Sequence, residues 1–245
     1  MIGSNPVLSE RTYNGLPRTS GDVMTLDGTV NKSGILLLTT ILTAALSWNI
    51  TSTNPGLGGG IAILGLIVGA LCAIALCFKQ SWAPVLAPVY AVFEGALLGA
   101  ISSVFNAKYQ GIAFQAAALT LGVLGVMLVL YRTGVLRATQ KFMVVVMAAT
   151  GAISLVYLVS MVMSLFGKSI PMIHDSGPIG IGFSVVVVAV AALNLILDFA
   201  IIESGVQRGA PKYMEWYAGF SLLVTIVWLY LEILRLLSKL NNSRR

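Results

Sequence analysis

Apolar runs long enough to cross a bilayer recur seven times along the chain, near 34–51, 58–78, 84–105, 111–131, 139–166, 178–204 and 213–239. A helix spans the hydrocarbon with roughly 20 apolar residues. The joints carry turn chemistry: Asn54-Pro55-Gly56, Trp82 to Pro84, Gly111, Gly177-Pro178 and Gly209-Ala210-Pro211. Joints this short make sequence neighbours antiparallel neighbours in space. The pattern predicts an all-α polytopic membrane protein, a seven-transmembrane-helix bundle over 34–239. Residues 1–33, rich in Pro, Gly, Ser, Thr and Asn, read as a flexible cytoplasmic tail without a packed fold. Residues 240–245 read as a short basic C-terminal tail. No internal repeat is visible, which argues against an inverted-repeat transporter.

Composition agrees. The chain is 57% hydrophobic and 10% charged, with a mean hydropathy of +0.90, whereas soluble domains carry about 25% charged residues. The net charge of +6 comes from basic residues scattered singly. That spacing suits loops facing an anionic leaflet and not a nucleic-acid surface. The first 33 residues lack the basic start and apolar run of a signal peptide, so the first span is expected to stay in the membrane.

With the N-terminus inside, the inner side holds Arg11, Arg18, Lys32, Lys79, Arg132, Arg137, Lys141, Arg208 and Lys212, and the outer side Lys108, Lys168, Arg235, Lys239, Arg244 and Arg245. The internal loops favour N-inside and the basic C-terminus opposes it; N-inside, C-outside is the orientation expected. Cys72 and Cys77 lie five apart on one apolar helix, point to different faces, and read as packing residues. Gly65 with Gly69, and Gly95 with Gly99, form G-x-x-x-G pairs that read as close helix packing.

Against this apolar background the acids stand out. Asp198 lies in the stretch Ile179–Ile202 with no other charge, and a carboxylate at membrane depth is costly without a partner, water or an ion. Glu94 and Glu232 also fall inside spans, while Glu203 and Glu215 sit near inner ends where water is in reach. At about 1.5 Å per residue, Glu94 lies about 15 Å deep, Asp198 about 10 Å and Glu232 about 28 Å. Glu94 and Asp198 are therefore expected to share a site in the inner half, with Glu232 too far away to pair with Asp198.

Two nearby carboxylates either share a proton or hold a cation, and their hard oxygens suit Ca²⁺, Mg²⁺ or H⁺. No Lys or Arg occupies the middle of a span to neutralise them. The alternative is that each acid is protonated and hydrogen-bonded to Ser, Thr, Asn or backbone. Asn194, one turn before Asp198, is placed for that, and Glu232 could instead snorkel outward or pair with Arg235. His174 and Asp175 read as a solvated outer loop. No Ser-His-Asp set, H-E-x-x-H or phosphate-binding glycine loop is present, so an enzyme is not expected and no cofactor is implied.

The runs Leu195-Ile196-Leu197-Asp198-Phe199, Gly-Ala-Pro-Lys-Tyr-Met-Glu-Trp-Tyr (209–217) and Trp-Leu-Tyr-Leu-Glu-Ile-Leu-Arg-Leu-Leu (228–237) resemble the Bax inhibitor family. With Asn5-Pro6-Val7-Leu8, Met24-Thr25-Leu26-Asp27-Gly28 and Pro88 to Gly99, the resemblance is to its bacterial YccA-type branch and covers nearly the whole chain. It implies seven helices with the last packed centrally. It also implies a pH-sensitive Ca²⁺ leak channel, with some members linked to cell-death suppression or to a membrane protease. In the channel members an acid on the sixth helix pairs with one on the seventh. Asp198 matches the first; an ungapped alignment of Gly219–Leu237 puts Thr225 at the second, with Glu232 two turns further along the same face. Some members also place a basic latch residue in the second span, and this chain has none there.

The sequence is therefore read as a bacterial inner-membrane protein that binds or passes Ca²⁺ or another cation. Asp198 is the main ligand and proton acceptor, and Glu94 its inferred partner. The rivals are a non-conducting regulator that binds a membrane protease and a proton-coupled carrier of a small solute. The expected partners are the lipid bilayer, a membrane protease and further copies of the chain.

Overall fold

A computed structural model describes residues 23–167 and 177–243. His174 and Asp175 lie outside these residues. Seven long helices follow one another: α1 (Leu26–Thr53), α2 (Pro55–Phe78), α3 (Ala83–Lys108), α4 (Ile112–Arg132), α5 (Gln140–Leu165), α6 (Pro178–Gln207) and α7 (Met214–Ser243), with one 3-10 turn, Gln80–Trp82, before α3. All seven are long and apolar enough to cross a membrane.

The helices start where local chemistry favours it. Thr25 caps α1 by accepting the Gly28 N–H at 3.0 Å, and Asp27 sits in the first, positively polarised turn. Thr139 caps α5 in the same way. Pro55 and Pro178 open α2 and α6, where a missing N–H costs nothing.

Two ends differ from the sequence reading. Leu26–Ser33, expected in the tail, form the first two turns of α1, and α7 runs on through 240–243. The reason is geometric. At 28 residues α1 is about 42 Å long, against a hydrocarbon thickness of about 30 Å. Its polar first turns project beyond the apolar stretch while remaining helical, and apolar counting does not see them.

The bundle has an inner set and an outer set. The most apolar windows of α3, α6 and α7 are 56%, 61% and 56% buried, while those of α1, α2, α4 and α5 are 17–22% buried and so left to lipid. α7 is the central helix, packing against α6, α1, α4 and α3. α3 and α6, which carry Glu94 and Asp198, are joined through α7 and share no extended packing of their own.

Candidate proton and cation site

Asp198 is fully buried, 0% exposed, on α6. Its sequence neighbours Leu195, Ile196 and Leu197 are buried too, so α6 is enclosed on several faces there. Its Oδ2 is buried without a hydrogen bond, while the residue as a whole keeps other interactions.

α7, the main neighbour of α6, carries the buried hydroxyls Ser221 and Thr225. Counted from the adjoining helix ends, Asp198 lies about 14 Å in, Ser221 about 11 Å and Thr225 about 17 Å. Thr225 Oγ1 donates to the Ser221 carbonyl at 3.4 Å, a long bond that leaves its lone pairs available.

Asn194 directs its amide elsewhere. Its Nδ2 donates to Thr150 Oγ1 on α5 and to the Val190 carbonyl, both at 2.8 Å. This is a tether between α5 and α6, and α5 has few other partners. Interhelical hydrogen bonds in bilayers average about 0.6 kcal/mol and reach about 1.7. Asn194→Ala is therefore expected to lower stability by about 1 kcal/mol and to raise hydrogen exchange in α5 ahead of the other helices.

Glu94, 9% exposed, sits on the α2 side of α3. Its hydrogen-bond partner is Tyr90, one turn earlier, and a Cβ placed on Gly69 of α2 would stand 3.2 Å from its Oε2. Depth alone allows Glu94 and Asp198 to share a layer; the helices that carry them each pack against α7 and share no extended packing with each other. Among the described residues no three His, Cys, Asp or Glu side chains come together. A cation at Asp198 would therefore draw much of its coordination from hydroxyl and carbonyl oxygens.

Glu232 is almost fully buried and belongs to a closed set. Tyr157 of α5 donates to Oε1 and Oε2 at 2.9 and 3.0 Å, and Arg235 Nη1 donates to Oε1 at 2.9 Å and to the Tyr157 hydroxyl at 2.8 Å. Its carboxylate is neutralised locally, by the Arg235 pairing raised above as one option, and does not snorkel.

A family model described as "Bax inhibitor 1 like" matches residues 5–242. The chain belongs to this family. Neither curated proteins nor solved structures gave a significant match. Within the Bax inhibitor 1 like frame, the central packing of α7 agrees with what the resemblance implied. Thr225, which stands where the second acid was expected, is a buried hydroxyl, 3% exposed.

Two charged groups were missed in sequence. Glu215, read as reaching water, is 0% exposed. Its Oε1 accepts from the Thr25 N–H and Oγ1, both at 2.9 Å, and from Lys212 Nζ at 3.2 Å; its Oε2 accepts from Lys32. The Met24 N–H also donates to the Ala210 carbonyl at 2.7 Å, and Val23 bridges to Pro211. The strap that precedes α1 is thus closed over the start of α7, and it is this closure that removes Glu215 from water. Lys239, expected at an outer surface, is 5% exposed; it donates to the Gly180 carbonyl at 3.0 Å and to Ser184 Oγ at 2.8 Å on α6. One signal was available: Glu232, Arg235 and Lys239 follow an i, i+3, i+7 spacing that puts them on one helix face.

Proposed function

We propose that this Bax inhibitor 1 like membrane protein belongs to the bacterial YccA-type branch, lies in the inner membrane with its N-terminus cytoplasmic, and passes or binds Ca²⁺ or a similar cation under control of protons. The observation that carries the reading is Asp198, an acid with no exposed surface at mid-bundle depth on α6, against a helix that offers Ser221 and Thr225 at similar depth. A carboxylate buried this far from water is favoured in two forms, protonated and neutral, or charged and holding a cation. Deprotonation places negative charge in the bundle and attracts cations; protonation removes it.

Thr225 in place of a second acid gives the site one fewer negative charge than a two-acid site. It retains oxygen ligands, so cation binding persists with weaker proton competition. Glu94 is a second buried acid, on α3, which also packs on α7, and its influence on Asp198 is electrostatic.

Ca²⁺ flux into proteoliposomes, measured across pH, tests the assignment. Wild-type flux should rise with pH as Asp198 loses its proton, and Asp198→Asn should be low and flat. Glu94→Gln should shift the midpoint and keep the pH response. Equal, parallel flux in wild type and Asp198→Asn would reject the role given to Asp198.

A further inference from the structure

A cavity of about 390 Å³ lies between α1, α3, α4 and α7, in the half of the bundle away from the N-terminal strap. It falls in the size range of small-molecule sites. Leu98, Ala113, Leu223, Ile226 and Val227 form its floor, each less than 10% exposed. Ile41 and Leu121, both about half exposed, and Phe114, 75% exposed, stand at its mouth.

α1 and α4 share no extended packing, and their meeting point is the ring pair Trp48 and Phe114, with centroids 6.0 Å apart. The opening therefore lies between two helices whose outer faces are lipid-facing.

The hydroxyls on the wall are already engaged. Thr40 donates to the Leu36 and Ala91 carbonyls, Thr120 to the Ala116 carbonyl, and Ser102 and Tyr230 bond each other at 2.6 Å. Such a wall offers a cation no set of open ligands, and an apolar cavity of this kind is not wetted. The cavity is thus chemically separate from Asp198, and its occupant must be apolar. The neighbouring medium at its mouth is the hydrocarbon of the bilayer.

We infer that the cavity is a binding site for one acyl chain of a membrane phospholipid, which enters between α1 and α4 beneath the Trp48–Phe114 pair and holds the two helices apart. The chain fills space that would otherwise leave the floor residues without contacts on one side. Its headgroup stays at the interface, so selectivity comes from chain length and saturation and not from charge.

Photo-crosslinking of the full chain in nanodiscs, with a phospholipid carrying a diazirine midway along one acyl chain, tests this. Adducts should form on the floor segments 98–103 and 223–230 as well as on the outward-facing Leu66 and Val145. Ala117→Trp, which fills the cavity, should abolish floor adducts and leave the outward ones. Ala117→Leu, with less added bulk, should reduce floor adducts in step. Excess unlabelled phospholipid should compete at the floor. Absence of floor adducts in wild type, floor adducts indifferent to both variants, or competition by a prenyl alcohol but not by phospholipid would each overturn the inference.

Discussion

Glu215→Ala is expected to free the strap before α1 and to cost about 2–3 kcal/mol of stability. The buried carboxylate accepts from Thr25 twice, from Lys32 and from Lys212. Its removal leaves the Thr25 N–H and the Lys32 ammonium without their acceptor in a place that water reaches poorly. Breaking a fully buried pair costs about 3–5 kcal/mol; here the lysines keep 19% and 44% side-chain exposure, which lowers the figure. Hydrogen exchange should locate the effect. The Met24 and Thr25 amides, bonded to Ala210 and Glu215, should lose protection, while those of α5 keep theirs. Gly28→Ala should act in the same direction from the other side, because a Cβ there would overlap the Glu215 carboxylate. Unchanged exchange at Met24 and Thr25 in both variants would show that Glu215 does not hold the strap.

The bundle could be read from the sequence because hydrocarbon thickness fixes how long an apolar run must be, and seven runs met it. The ends could not, because a helix that leaves the hydrocarbon turns polar without ceasing to be a helix; hence α1 begins at Leu26 and α7 reaches Ser243. The local partner of Glu232 was legible, because Arg235 is three residues away; Tyr90, four residues before Glu94, is equally local but was not read as its partner. Glu215 was not, since Thr25 and Lys32 lie 190 and 183 residues away and only the folded chain brings them to it. The lateral arrangement was hidden for a related reason. Counting along helices gives depth, and depth put Glu94 and Asp198 in one layer. Which helices pack together depends on bundle order, and in that order α3 and α6 each pack on α7 and share no extended packing with each other.

Gly99→Val is expected to abolish accumulation of folded protein, and Gly99→Ala to cost about 1–3 kcal/mol, in the range of overpacked cores. α1 and α3 make the most extensive helix contact in the bundle, and it is a backbone contact. A Cβ on Gly99 would overlap the Ala44 carbonyl, and one on Gly95 the Thr40 carbonyl and Thr43 hydroxyl. Ser47 Oγ donates to the Ala96 carbonyl at 2.7 Å across the same seam, which only close approach allows. The second G-x-x-x-G pair works on α2, where a Cβ on Gly65 would stand 2.7 Å from the Phe93 carbonyl. Gly122, Gly125 and Gly151 have nothing within 4 Å of that position, so alanine there should be neutral or should stabilise by up to about 1 kcal/mol. The contrast is the test, read as resistance to denaturation in detergent: a penalty at Gly95 and Gly99, none at Gly122, Gly125 and Gly151. Because Ala44 and Gly99 also line the acyl-chain cavity, Gly99→Ala should reduce floor labelling by the photoreactive lipid as it forces α1 and α3 apart. A glycine pair too common in apolar helices to be informative by sequence thus sets both the most extensive seam of the bundle and part of one wall of the cavity.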